Sequence, residues 1–249
     1  MTITPDARAA PPPSFVLLVA GGSGQRMGAP LPKQFLPLGG APVLLRTLQR
    51  VAQAVPAAGR LVVLPAAEHP RWQALLRATD SPVPPHQVVA GGATRLASVR
   101  NGLAAIAAAG VPDTALVAVH DGVRPLVPVA VMQEAFRVAA AQGSAVAAVA
   151  LKDSVRRWRP DGTSATEDRT AFRLVQTPQC FALGVLQQAY AAVADDEAAL
   201  TDDASVVERF GHPITLIEGD SANLKITTPD DLLVAEVLWQ HQNSALSLS

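Results

Sequence analysis

A chain of 249 residues with 49% apolar and 16% charged residues is long enough to bury a sizeable core and is not disordered in composition. Its formal charge of −1 supplies no basic field, so a polyanionic nucleic acid is excluded as the expected partner. Cys180 is the one cysteine, which excludes an intrachain disulfide and a thiolate metal cluster and leads us to expect a reducing, cytoplasmic setting.

In chain order, residues 1–14 contain Asp6, Arg8 and three consecutive prolines with no apolar core, and are expected to be a loose tail, neither signal peptide nor membrane span. No later stretch is apolar and breaker-free over a bilayer's width, so no membrane partner is expected. Short apolar runs at 15–20, 61–64, 87–90, 116–119, 145–150 and 214–218 read as strands. Helix-length segments at 43–54, 71–78, 96–109, 129–141, 184–194, 202–210 and 229–240 fall among them. This alternation predicts one α/β domain over 15–241, a mostly parallel sheet with helices on both faces, followed by a short tail at 242–249. The last helix is well announced, with Thr228 as N-cap, Pro229 at the first position and Asp231 in the first turn.

The polar segment 152–180 interrupts this rhythm with a Pro-Asp-Gly turn between two extended stretches. It reads as a β-arm leaving the domain. Its apolar residues Trp158, Phe172 and Leu174 need cover, and a second copy of the chain is the expected partner, which makes a homodimer the expectation.

Three glycine- or charge-bearing clusters follow strands. The first, Gly21-Gly22-x-Gly24-x-x-x-Gly28, stands where open α/β sheets bind ligands, but its spacing misses the dinucleotide fingerprint by one residue and lacks the Gly-Lys-Ser/Thr ending of a P-loop. It is either a phosphate cradle holding Arg26 and followed by Lys33, or a glycine-rich turn with both cations solvated. Only three of the 20 basic residues are lysines, Lys33, Lys152 and Lys225, which favours a specific use for a compact charge at Lys33. The second cluster, Val117 to Pro125, offers Asp121 for Mg²⁺ or a ribose hydroxyl and Arg124 for a phosphate, with an Asp–Arg turn pair as the plain alternative. His120 beside them reads as a packed histidine. In the third, Gly91 to Val99, Ser98 either bonds a base or faces solvent from a helix.

Taken together, Ala20-Gly-Gly-Ser-Gly-Gln-Arg-Met27, Pro32-Lys-Gln-Phe35, Gly91-Gly-Ala-Thr-Arg95, Val119-His-Asp-Gly-Val-Arg-Pro125, Gln176-Thr-Pro-Gln179, Leu200-Thr-Asp-Asp203 and Asn223-Leu-Lys-Ile-Thr227 resemble the 2-C-methyl-D-erythritol 4-phosphate cytidylyltransferases of the non-mevalonate isoprenoid pathway. The resemblance spans about 15–239. It implies a Rossmann-like domain with a dimerising β-arm, and transfer of cytidylyl from CTP to a sugar-alcohol phosphate with release of pyrophosphate. It further implies that Arg26, Lys33 and Lys225 embrace the triphosphate, that Ala20, Gly21, Gly91 and Ser98 surround cytosine and ribose, that Gly22 and Gly24 also bind the nucleotide, and that Asp121 lies near Mg²⁺ and the nucleotide. The sugar phosphate would meet Arg124, Thr201 and Lys225 from one subunit and Ser154, Arg169 and Thr177 from the partner's arm. Two positions depart from the family pattern: Ala93 stands where an acidic residue is frequent, and Ser154 where threonine is. Thr201 also reads as an N-cap for a helix from 202, and Thr177 as an extended residue before a turn.

The sequence has no Ser-His-Asp order, cysteine nucleophile or glycosidase-type carboxylate pair, and phosphoryl transfer needs positioning and charge more than proton transfer. The competing readings are a cytidylyltransferase for another polyol phosphate such as ribitol 5-phosphate, an NAD-dependent oxidoreductase, and a silent nucleotide-binding regulator. The oxidoreductase is disfavoured by the glycine spacing and by the lack of an acidic residue after the second strand.

Overall fold

A computed structural model describes residues 12–22, 31–193 and 200–246. Gly24 and Arg26 lie outside the described residues, as do 1–11 and 247–249. In chain order the strands are β1 (Ser14–Val19), β2 (Pro37–Leu38), β3 (Ala41–Pro42), β4 (Gly59–Leu64), β5 (Gln87–Ala90), β6 (Leu116–Asp121), β7 (Ser144–Ala150), β8 (Val155–Trp158), β9 (Ser164–Glu167), β10 (Arg173–Ala182) and β11 (Leu216–Glu218). The helices are α1 (Val43–Ala54), α2 (His69–Ala78), α3 (Arg95–Ala107), α4 (Val129–Gln142), α5 (Leu183–Ala191), α6 (Asp203–Arg209) and α7 (Pro229–Leu246).

Seven strands form the main sheet in the order β11-β7-β10-β6-β1-β4-β5. β1, β4, β5 and β6 run parallel, and β11 runs parallel to β7. β10 lies antiparallel between β6 and β7. Alternation along β1 divides the core: Val16 and Leu18 pack with α1 and α4 on one face, while Leu17 packs with α3, α5 and α6 on the other. α7 closes a third cluster, in which Leu38, Val43, Val123 and Ile226 are buried.

Three expectations need correction. The arm is shorter than 152–180, because β10 takes Arg173 onward back into the sheet and buries Gln176 through Phe181. That strand hid because its buried residues Gln176, Thr177 and Gln179 are polar, and Pro178 interrupts the ladder where the register shifts. Thr201 is not the cap of α6. Asp202 is, accepting from Ser205 N at 2.9 Å while Ser205 Oγ answers Asp202 N. Finally, α7 runs to Leu246 because no glycine or proline stops it, so most of the segment expected as a tail from 242 is helical. Its expected cap holds: Asp231 N donates to Thr228 Oγ1 at 3.2 Å.

Candidate active site

Sheet order reverses between β1 and β6, since β1 leads outward to β4 and β5 on one side while β6 lies on the other. Crevices for ligands open at such a switch point, outside the carboxyl ends of the strands. Backbone bonds carry the ladder into the loops there: Ala20 N donates to Val63 O at 3.0 Å, Gly122 N to Val19 O at 2.9 Å and Gly91 N to Leu64 O at 2.7 Å. Three loops therefore leave the sheet side by side.

Between them lies a cavity of about 380 Å³ lined by Ala20, Gly21, Gly22, Lys33, Ser98, Asp121 and Lys225, together with Gly92 to Arg95. That volume lies in the range of small-ligand sites. A methyl group placed on Gly22 would come 3.8 Å from Lys33 Cε, so the lysine lies across the glycine turn. A methyl group on Gly92 would come 2.4 Å from Ala97 Cβ, which makes glycine obligatory where that loop folds onto α3. Gly91 stands behind the wall, where an added carbon would approach Ser98 Oγ to 3.1 Å. Ser98 does not face solvent. It is buried, donates to Thr94 O at 2.8 Å and accepts from Gly92 N at 3.1 Å, so its hydroxyl shapes the loop that lines the cavity.

A second cavity, about 190 Å³, is too small for a nucleotide but large enough for a phosphate head, and it is lined by Arg124, Thr177, Thr201, Gln179 and Asp202. Arg95, Asp121 and Lys225 line both cavities. At this shared wall Asp121 Oδ2 accepts from Arg124 Nε at 3.0 Å and lies 3.2 Å from Lys225 Nζ. Burial would push the Asp121 carboxyl up, but Lys225, Arg124 and Arg95 together hold it well below the ordinary carboxylate range. Arg124 also donates through Nη1 to Asn223 O at 2.7 Å, so the plain Asp–Arg pair and a position on the second cavity are both realised.

Thr177 requires a correction. It lies in β10 and not in the arm, lines the cavity of its own chain, and is more than an extended residue. Asp121 N donates to Thr177 Oγ1 at 3.0 Å, and Thr177 Oγ1 lies 3.0 Å from His120 Nδ1. His120 Nε2 is 3.3 Å from Arg124 O and donates to it, so Nδ1 accepts from the threonine and the imidazole is neutral. Burial lowers the His120 pKa from 6.5 to about 4, outweighing Asp121.

Lys225 is positioned by a pinned loop. Asn223 is fully buried and donates to Gln176 Oε1 at 3.1 Å and Thr177 O at 2.8 Å, and Ile226 N donates to Val123 O at 3.0 Å. Gln179 places Thr201 indirectly, donating to Asp202 Oδ2 at 2.9 Å and accepting from Ala204 N at 2.8 Å. Ser154 and Arg169 are exposed in the arm region and line neither cavity. Arg95, Asp203, Gln176, Gln179 and Asn223 were given no role by sequence. All fall within or beside the quoted motifs, but nothing in a linear reading pairs residues so far apart in the chain. A larger cavity of about 890 Å³ beside α1 and α7 shares no lining residue with either of these cavities, and no carboxylate lines it.

The family model for 2-C-methyl-D-erythritol 4-phosphate cytidylyltransferase (IspD) matches residues 14–241. The chain is 47% identical to the 2-C-methyl-D-erythritol 4-phosphate cytidylyltransferase of Porphyromonas gingivalis, over 90% of this chain and 96% of that protein. Among solved structures it is similar to the cytidylyltransferase of the same name from Thermus thermophilus, at 33% identity and a TM-score of 0.71, covering 91% of this chain and 98% of that one. It is also similar to the 4-diphosphocytidyl-2C-methyl-D-erythritol synthase of Anaerococcus prevotii, at 26% identity and a TM-score of 0.77, covering 92% and 96%.

Proposed function

Because the chain belongs to the 2-C-methyl-D-erythritol 4-phosphate cytidylyltransferases, we propose that its larger site cavity seats CTP, its smaller one seats the sugar phosphate, and transfer occurs at their shared wall. The enzyme joins CTP and 2-C-methyl-D-erythritol 4-phosphate into 4-diphosphocytidyl-2-C-methyl-D-erythritol and pyrophosphate, a step of the non-mevalonate isoprenoid pathway. An oxygen of the sugar phosphate forms the new bond to the α-phosphorus. The bond from that phosphorus to the bridging oxygen breaks, and pyrophosphate leaves with the electron pair. A phosphate monoester is largely dianionic near neutrality, its second pKa being about 6, so no general base is needed.

What the protein must supply is charge and alignment for two anions. Lys33 and Lys225, with Arg26 beyond the described residues, would embrace the reacting phosphates. Ala20, Gly21 and Gly22 would admit the nucleotide close to backbone, with Gly24, outside the described residues, as a further nucleotide contact. Ser98 and Gly91 would shape the nucleoside wall. Arg124, Thr177, Thr201 and Lys225 would receive the sugar phosphate.

Asp121 fits a divalent cation. Both of its cationic contacts go to Oδ2, whereas Oδ1 takes no hydrogen bond among the described residues, and Mg²⁺ needs only one or two carboxylates beside substrate phosphates. No group of three or more His, Cys, Asp or Glu able to hold an ion by themselves occurs among the described residues, which suits an ion shared with the nucleotide. Bound there, the ion would neutralise charge on the triphosphate.

A cytoplasmic homodimer completes the proposal. Its support is the single buried cysteine and the exposed Trp158, Leu174 and Val175 on or beside the arm. Ser154 and Arg169 would then reach a partner's sugar phosphate.

The observation that carries the reading is Lys225 Nζ lying 3.2 Å from Asp121 Oδ2 on the wall common to both cavities. The test is pyrophosphate release from CTP offered with either 2-C-methyl-D-erythritol 4-phosphate or ribitol 5-phosphate. Rapid release with the first and little with the second is expected. The reverse preference, or CTP binding without release, would overturn it.

A further inference from the structure

Of the three residues lining both cavities, Asp121 and Lys225 have roles above, and Arg95 has none. Arg95 is the first residue of α3, directly after the cap Thr94, where a cation meets the positive end of the helix dipole and local stability disfavours it. Such a breach of a local rule is expected where function sets the residue. Both terminal nitrogens of Arg95 go to Asp203, at 3.1 Å to Oδ1 and 2.6 Å to Oδ2. Asp203 is wholly buried and also accepts from the Tyr190 hydroxyl. An arginine whose side chain is 29% exposed is thereby locked in one orientation.

The two ends of this ion pair belong to different substrate seats. Arg95 ends the loop Gly92-Ala-Thr-Arg95 of the nucleotide cavity. Asp203 opens α6, two residues after Thr201 of the smaller cavity and next to the cap Asp202 that Gln179 anchors. The Asp203 pair is thus a tie between the two seats across the wall where the reacting atoms must meet. The Arg95 charge also acts on Asp121.

We propose that Arg95 is a positioning residue for cytidylyl transfer: clamped by Asp203 and Tyr190, it fixes the separation of the nucleotide loop from the sugar-phosphate seat. The proposal rests on the reading above and deepens it. Misplacement of reacting groups by about 1 Å lowers rates by up to about a hundredfold, so loss of this tie acts on kcat rather than on CTP binding.

The test uses Arg95→Lys, which keeps the charge but not the two-pronged fork, and Tyr190→Phe, which leaves the ion pair intact and withdraws one donor from Asp203. Pyrophosphate release is measured with each substrate varied, beside equilibrium CTP binding and thermal melting. Arg95→Lys should lower kcat about tenfold or more with CTP affinity within about threefold of wild type. Tyr190→Phe should raise the KM for the sugar phosphate and lower kcat by a smaller factor, and the double variant should be no worse than Arg95→Lys. An Arg95→Lys enzyme within twofold of wild-type kcat, or one losing CTP affinity as much as kcat, would overturn the proposal. Should Arg95→Lys fail to fold, Tyr190→Phe decides, and unchanged kinetics there would overturn it. Wild-type enzyme releasing no pyrophosphate would instead sink the functional reading itself.

Discussion

Asp121 stays ionised while nearly excluded from water because Lys225, Arg124 and Arg95 surround it. Removing Lys225 leaves Arg124 on the same oxygen, and the lysine side chain is 42% exposed, so its pair with Asp121 contributes about 1 kcal/mol or less to folding. The loss falls on chemistry instead. Lys225→Ala and Lys33→Ala should each lower kcat about a hundredfold or more, the usual order for a preorganised charge stabiliser, with melting temperature little changed. Saturating-substrate kinetics check this, and near-normal rates in both variants would refute the role. At this scale the sequence showed Lys33, Asp121 and Lys225, which the fold brings to one cavity, because charged residue types beside glycine turns and strand ends stand out in a linear reading. It did not show the residues that hold them. Asn223, Gln176 and Gln179 act through hydrogen bonds between elements distant in the chain, and Ser98 and Thr177 spend their hydroxyls on the protein as well as lining the cavities.

Elements with apolar periodicity were legible to within a few residues, and α1 matches its expected bounds. β10 was not, since the buried residues that lead this central strand, Gln176, Thr177 and Gln179, are polar and leave no apolar run before Cys180 and Phe181. Of these, Thr177 is satisfied across the seam with β6, in the series from Asp121 N–H to Thr177 Oγ1–H to His120 Nδ1, while Gln176 bonds Asp220 and Asn223 and Gln179 bonds Asp202. The seam therefore has a pH dependence. His120 titrates at about 4 when folded against an ordinary 6.5, so between these values the unfolded chain binds more protons than the native one, and stability falls as pH falls. The contribution is fully present above pH 6.5, and its loss by pH 4 is on the order of 3 kcal/mol. Asp121, held low, adds a separate loss that begins only as pH falls through its ordinary 3.8. Urea unfolding midpoints from pH 7.5 to 4 should slope more steeply for wild type than for His120→Asn. Parallel slopes would show that His120 is not the group responsible.

At the scale of the whole molecule, the proposed homodimer would bring a second chain to the site. The walls of the smaller cavity come from β6, β10, the first residue of α3, and the loops after β6 and before α6 and α7, while Arg169 is exposed in the arm region beyond either cavity of its own chain. Its Nη1 donates to Lys152 O, which fixes the guanidinium within the arm. Trp158 is 74% exposed on that arm, an area of apolar surface that a second copy would cover. If Arg169 serves the partner's site, Arg169→Ala should raise the KM for the sugar phosphate and leave CTP affinity nearly intact. Complementation then separates a partner's arginine from a resident one. A subunit carrying Lys225→Ala retains a sound arm, and one carrying Arg169→Ala retains a sound cavity, so a mixed dimer has one site with both residues and one with neither. After random exchange at limiting sugar phosphate, the mixture should recover about a quarter of wild-type activity, since half the dimers are mixed and each has one competent site of two. Recovery requires that the arginine cross the dimer interface. If light scattering shows dimers that exchange and the mixture remains as inactive as its parts, Arg169 acts within its own chain or not at all.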